Sequence, residues 1–477
     1  MAGGRGSRSR VVGTILTSVL LGICKIAGAQ ATTAAQSAVL PSEADVKQIL
    51  VHAVDTEKRT VGIVVGLIGP QGSSVVSYGR LDQKLRGTPG PDTVYEIGSI
   101  TKVFTSLLLA DMVKRSEVAL DDPVAKYLPK SVKMPSRNGK QITLVDLATH
   151  TSGLPRLPSN LKPANPENPY ADYTVEDLYA FLSSYQLTRD PGSKYEYSNL
   201  GGGLLGHLLA LRAGKDYEAL LRERVLAPLH MDSTGIHLTA DERARLAAGH
   251  SESLAPAANW DLPTLAGAGA LRSTAHDMLL FLSANLGFTH TPLAAAMEFE
   301  RTAVRRPTGV PDLEVALGWH ILEHNGNEIV WHNGGTGGYR SWMGLDLKKR
   351  IGVVVLSNSA NSVDDIGQHL VDSSLPLVPY QAPKERTAIS VDPKVLDAYV
   401  GRYQLTPRFI ITVTRNQGSL YVQATGQPKF EIFAEAPTEF FLKVVNAQIT
   451  FVTGPDGHAT EMILHQGGAN QHLKKIE

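Results

Sequence analysis

The sequence predicts an α/β chain of the α+β kind: one antiparallel sheet flanked by helices beside a helical lobe, followed by a small all-β domain. Three observations carry this. Strand-like segments stand at both ends of a long first region, and helical patterns fill its middle. Pro376, Pro379 and Pro383 then mark a linker. Beyond it, short alternating segments recur between turn residues. At 477 residues the chain has room for two or three domains.

The elements follow in order. Arg5, Arg8 and Arg10 precede an apolar run over 11–23, and Ala27-Gly28-Ala29 offers a cleavage site before Gln30. Residues 1–29 therefore read as a secretory signal peptide. The run is short for a bilayer span. The alternatives are an uncut anchor, or a lipid on Cys24, which bulky Ile23 opposes. The expected mature protein is exported, periplasmic or secreted, with no stable membrane span after cleavage. Cys24 is the only cysteine, which excludes disulfides, thiol nucleophiles and cysteine-ligated zinc from that mature chain.

After a small, polar lead-in, Val46, Ile49, Leu50 and Val54 share a helix face. Strands over 61–65 and 74–78 flank Gly69-Pro70-Gln71-Gly72, a turn. An apolar helix covers 99–114, and a Pro-rich surface loop covers 155–169. Helices recur over 175–182, 202–211 and 217–225, and late strands over 329–332, 341–345 and 351–356. The first domain spans 43–375, the linker 376–389 and the all-β domain 390–477. The last should hold strands near 409–413, 420–423, 430–433, 440–444, 449–452 and 462–464.

Composition removes several functions. Lys+Arg and Asp+Glu balance at 46 each, so no basic field exists to hold nucleic acid. The 15 histidines are scattered, with no H-E-x-x-H or H-x-H cluster, so neither a metal nor another cofactor is expected. G-x-S-x-G is absent, which disfavours an α/β-hydrolase.

Three segments carry the chemistry. In Gly98-Ser99-Ile100-Thr101-Lys102, positions i and i+3 share a helix face, so Lys102 meets Ser99. Burial beside the apolar residues Val103, Phe104, Leu107 and Leu108 favours a neutral amine, able to take the serine proton. At a helix start the Ser99 N–H is free for an oxyanion. A second S-x-x-K, Ser159–Lys162, lies in the Pro-rich loop, where no helix joins the pair. In Tyr197-Ser198-Asn199, a phenol near the lysine could pass a proton to the leaving group, and Asn199 could donate to a substrate carbonyl. In His332-Asn333-Gly334-Gly335, the glycines let backbone approach a ligand, and Gly335 N–H is the second oxyanion candidate.

In this order and spacing the chain resembles the serine β-lactamase and penicillin-binding protein superfamily, on its class C and DD-carboxypeptidase side. Tyr197-Ser198-Asn199 has the class C form, and His332-Asn333-Gly334 stands where class C enzymes carry K-T-G. Segments 142–155 and 269–278 also resemble shared blocks, so the likeness covers roughly 45–370. The resemblance implies a β-lactamase/transpeptidase-like fold with its site between the two lobes, and an appended lipocalin-like β module. It implies Ser99, Lys102 and Tyr197 as catalytic residues, and Asn199, His332, Asn333, Gly334 and Gly335 as substrate-binding ones. The expected substrate is a small molecule or peptidoglycan-like: a β-lactam or D-alanyl amide hydrolysed through an acyl-serine. A carboxylesterase with the same residues is the alternative. A penicillin-binding sensor that acylates without turnover is a reading of another class. His332, with an ordinary pKa of about 6.5, should lose attraction for anions as pH rises through that value.

Overall fold

The computed structural model describes residues 40–84, 87–380, 386–406, 409–425, 429–442, 447–466 and 469–477. The expected signal peptide and part of the linker lie outside them.

Strand Gly62–Gly69 sits between its hairpin partner Gly72–Gly79 and strand Ile351–Ser357 from the far end of the first region. Its register pairs Ile63 with Ser357 and Val65 with Val355. The sheet continues through Arg340–Asp346, Asn327–Gly335, His320–His324, Leu313–Val315 and Arg306–Pro307, giving eight antiparallel strands. Gly62–Gly69 and Ile351–Ser357 are buried at every position, because helices cover both faces. One face packs Val65, Val353, Val355 and Trp342 on Val46, Leu50, Ile366 and Leu370. The other packs Val64, Val354 and Leu356 into the main core with Phe104, Leu279 and Leu282. Burial on both faces explains why these strands read as continuous apolar runs.

Helix Thr101–Lys114 is buried from its start through Met112. Helices Val175–Ser184, Asn199–Ala213 and Tyr217–Leu221 build the helical lobe. Among the described residues no helix is long and apolar enough to cross a membrane.

The C-terminal region is a closed, eight-stranded antiparallel barrel from Gly401 to Lys475. Tyr403 on the first strand pairs with Lys475 on the last, and closure leaves no free edge. Apolar side chains, among them Ile411, Leu420, Phe440 and Phe451, pack together inside it. Tyr399 and Phe451 stack at 4.4 Å, and Phe440 meets Phe451 edge-on at 5.5 Å. The connecting segment is tied at both ends. Arg59 Nη2 donates to Val378 O at 2.8 Å and Tyr380 N–H to Glu57 Oε1 at 3.0 Å, while Ile389 N–H bonds Ala434 O at 2.8 Å.

Candidate active site

From Thr93 to Met112 every residue except Ser99 is buried. Ser99 does not begin the α-helix. It sits in a 3-10 turn, Gly98–Ile100, that feeds helix Thr101–Lys114. The first bond inside that turn runs from Ile100 N–H to Ile97 O at 3.3 Å, so the Ser99 N–H precedes it and has no acceptor in the turn. Gly98 enters with φ 49°, and a Cβ there would lie 2.6 Å from Gly335 N.

Lys102 Nζ lies 3.1 Å from Ser99 Oγ, 2.9 Å from Asn199 Oδ1 and 2.7 Å from Ala268 O. Two of these are carbonyl oxygens that only accept, and the third is a hydroxyl that can donate. A neutral amine has two N–H groups and one lone pair, which matches that set. Burial, helped by the positive charge of Arg156, holds the Lys102 pKa well below that of an ordinary lysine. The amine has room because Gly202 faces it: a Cβ at 202 would lie 2.9 Å from Lys102 Cε. Tyr197 shifts the other way. Burial raises its pKa, against opposing effects of a hydrogen bond with Ser99 and the charge of Arg156. The phenol keeps its proton. The Lys102 nitrogen stands 4.8 Å from the Tyr197 ring centroid.

The two shared segments prove to be scaffolds. In the first, His150 Nδ1 accepts the Ser198 N–H at 3.1 Å, and Pro155 O accepts the Ser198 hydroxyl at 2.6 Å. Arg156 O takes the N–H groups of Asn199 and Leu200. This segment therefore holds the second motif at the start of helix Asn199–Ala213. In the second, Leu271 O accepts the Ile97 N–H at 3.0 Å, and Leu271 N–H donates to Thr101 Oγ1 at 3.1 Å. Arg272 forms a buried ion pair with Glu96 at 3.2 Å. That segment holds the Gly98–Ile100 turn.

The third motif lies on strand Asn327–Gly335. Its neighbour His320–His324 stops pairing at Trp331↔His320, so one edge is open from His332 onward. Thr336 N–H bonds Tyr339 O across the other edge at 3.1 Å, and directions alternate along a strand. Gly335 N–H therefore points to the open edge, toward Gly98 and Ser99. Gly334 allows the approach: a Cβ there would lie 1.9 Å from Ile97 O. Asn333 turns its amide to Asp364 at 2.6 Å.

His332 corrects the titration expected of it. It is 1% exposed, and its Nδ1 lies 2.5 Å from Asn333 O. Burial, the largest cause, holds its pKa well below that of a free histidine. Its change of charge is therefore moved to the acid side of an ordinary histidine.

The structure also gathers residues that sequence patterns did not single out. His150 stacks on Tyr197 at 4.4 Å, His320 lies 5.1 Å from His332, and Tyr195 Oη bonds His320 Nε2 at 3.0 Å. Tyr170 Oη accepts from Asn199 Nδ2 at 3.2 Å, and its ring packs 5.4 Å from Trp260. Asn199 is thus bonded at both ends of its amide. Arg156 stands over the Tyr197 ring at 5.1 Å. Ser159 and Lys162 are exposed, and neither lies in a helix or strand. Among the described residues no group of three or more His, Cys, Asp or Glu is placed to hold a metal ion.

This fold and this cluster define a serine hydrolase. The chain belongs to the Beta-lactamase family, whose model matches residues 46–372. Residues 385–475 match a second model, a domain of unknown function (DUF3471). The chain is 33% identical over 292 residues to the D-alanyl-D-alanine-carboxypeptidase/endopeptidase AmpH of Escherichia coli (strain K12), covering 59% of this chain and 74% of that one. It is 27% identical over 335 residues to a β-lactamase of Escherichia coli (strain K12), covering 63% and 85%. The β-lactamase/D-alanine carboxypeptidase of Yersinia pestis, solved with citrate, superposes with a TM-score of 0.59 at 27% identity, over 70% of this chain and 96% of that one.

Proposed function

We propose that the protein is exported and hydrolyses β-lactam or D-alanyl amides through an acyl-serine. Neutral Lys102 accepts the Ser99 proton as Oγ bonds to the carbonyl carbon. The N–H groups of Ser99 and Gly335 receive the oxyanion. As the C–N bond breaks, Tyr197 protonates the departing nitrogen, and Lys102 restores the phenol's proton. Water then attacks the ester, losing its proton to the same pair, and Ser99 Oγ leaves as the hydroxyl. The observation that carries this reading is the Lys102 environment. A buried amine bonded to two carbonyl oxygens has one direction left for its lone pair, and Ser99 lies there. The expected kcat/KM profile loses activity only well on the acid side of an ordinary lysine, as Lys102 protonates. Its alkaline limb lies above the ordinary phenol range, because Tyr197 holds its proton.

The neutral His332 favours a second reading, a carboxylesterase, since it offers an anionic substrate no charge. Initial rates on nitrocefin, a D-Ala-D-Ala peptide and a short acyl ester separate the two. Turnover of the ester alone selects the esterase. A stable, stoichiometric acyl-enzyme with none turned over selects a sensor.

A further inference from the structure

The exposed cation at this cleft comes from neither the first nor the third motif. Arg156 is fixed through its backbone: its carbonyl accepts the N–H groups of Asn199 at 3.0 Å and Leu200 at 3.2 Å. The preceding Pro155 O accepts the Ser198 hydroxyl at 2.6 Å. The residue is thereby locked to the second motif, and its guanidinium carbon lies 5.1 Å from the Tyr197 ring centroid. The side chain is exposed. The nearby ion pairs among the described residues join Arg189 to Glu196 and Arg272 to Glu96, and leave Arg156 unpaired. Arg340, by contrast, spends Nη1 on Thr336 O and Tyr339 O. The charge of Arg156 reaches the reacting groups, since it lowers the pKa of Lys102 and opposes the rise at Tyr197.

Tyr197 is the proton donor to the leaving nitrogen in the function proposed above, and the present inference rests on that reading. A D-alanine leaving group carries its carboxylate on the carbon next to that nitrogen, and so does a penicillin. A group that protonates the nitrogen therefore has the carboxylate close by. A guanidinium beside it supplies charge-assisted hydrogen bonds. We propose that Arg156 binds the carboxylate of the leaving group, so that this residue makes the site select amides whose leaving amine bears an α-carboxylate.

The test compares wild type with Arg156→Gln and Arg156→Lys on a D-Ala-D-Ala peptide and on the same peptide with its C-terminus amidated. In parallel, the second-order rate of Ser99 acylation is measured with a penicillin and with its methyl ester, which needs no turnover. Arg156→Gln should lower kcat/KM and the acylation rate for the free acids by about tenfold or more, chiefly through KM. Compared on the pH plateau, above the acid limb, the uncharged partners should lose several-fold less than the free acids. Arg156→Lys should recover part of the loss, and the preference should shrink as salt rises. Equal losses on charged and uncharged partners, with a shifted acid limb, would show that Arg156 only tunes Lys102 and would overturn the proposal. No change on either would overturn it too. If peptides are not cleaved but the penicillin pair still divides as expected, the peptidase reading fails and the role of Arg156 stands.

Discussion

The region before the linker and the barrel after it bury different things. Among the described residues, tyrosines aside, every polar or charged residue that is buried as a whole lies at or before Asn361, and the barrel adds one buried hydroxyl without a partner, Thr414 Oγ1. The barrel closes instead on Tyr403, Ile411, Leu420, Phe440, Phe451 and Leu473. Its buried tyrosine hydroxyls go to carbonyls, Tyr399 to Pro437 O and Tyr403 to Tyr399 O. In the first region desolvation is opposed only in part. Lys102 gains carbonyl partners, but His332 Nε2 and His320 Nδ1 are buried with none. Unfavourable burial of ionisable groups is what shifts pKa values, and such shifts cluster where chemistry is done. The difference is one of composition: the first region buries histidines, a lysine and carboxylates, while the ionisable side chains the barrel buries are tyrosines.

The sharpest way to break that contrast is at Ser99, the proposed nucleophile. Ser99→Ala should abolish covalent labelling by a penicillin or a fluorophosphonate and cut turnover by about 10⁴-fold or more. Labelling that maps to Ser159, or anywhere in the barrel, ends the assignment.

A smaller effect tests the close approach of the third motif. Gly334→Ala sets a Cβ 1.9 Å from Ile97 O and 2.4 Å from Ser341 Oγ, so the strand must move off the Gly98–Ile100 turn. Turnover should fall about a hundredfold, since small displacements of reacting groups cost that much. Gly418→Ala in the barrel, where a Cβ meets nothing within 4 Å, is the matched control and should leave turnover unchanged. Equal losses from both would mean that the barrel is coupled to the site.

Acid should separate the two regions as well. Burial lowers His320 to about 4 and holds His150 and His332 well below an ordinary histidine. In each case the unfolded chain binds the proton first. The stability linked to the neutral form is present above pH 6.5 and is lost as pH falls toward the folded value. For His320 the loss is on the order of 3 kcal/mol between pH 6.5 and 4. Among the described residues the barrel buries no histidine. Glu96, Asp277, Glu300 and Asp364, whose pKa values burial raises, act in the opposite direction, so the readout is a difference: in thermal scans from pH 8 to 4, His320→Gln should lose less stability toward acid than wild type. A slope unchanged by His320→Gln removes His320 from the account.

How legible each region was follows from the same physics. Ser99 and Lys102 could be read because their spacing leads into the apolar residues Val103, Phe104 and Leu107 and stands in order with the second and third motifs. Gly334 and Gly335 could be read because close backbone approach demands glycine. The partner that completes Lys102, Ala268 O, is backbone and carries no residue signature. Arg156, Tyr170 and Trp260 converge only through tertiary packing, so nothing in their local spacing marks them. In the barrel the two closing strands, Gly401–Thr406 and Ala469–Lys475, escaped the pattern. Each has one fully buried apolar anchor, Tyr403 or Leu473, so alternation is too faint to see. Neighbours on both sides hold them in place.

The smallest expected effect is on removing the barrel. A chain ending at Tyr380 keeps every group of the site, and keeps the bonds of Val378 to Arg59 and Asp365 and of Tyr380 to Glu57. The cut therefore falls after the segment that ties down against the first region. Turnover of a small substrate should stay within about threefold of the full chain, as expected for distant, uncoupled parts. Solubility could drop, because Leu377 and Val378 are already exposed and more apolar surface is uncovered. Two other outcomes are informative. A folded truncation that turns over nothing would place part of the site's support in the barrel and erase the contrast. A truncation that keeps its rate on nitrocefin but loses it on a polymeric, peptidoglycan-like substrate would sharpen the contrast. Bond breaking would then belong to the first region, and delivery of large substrates to the barrel.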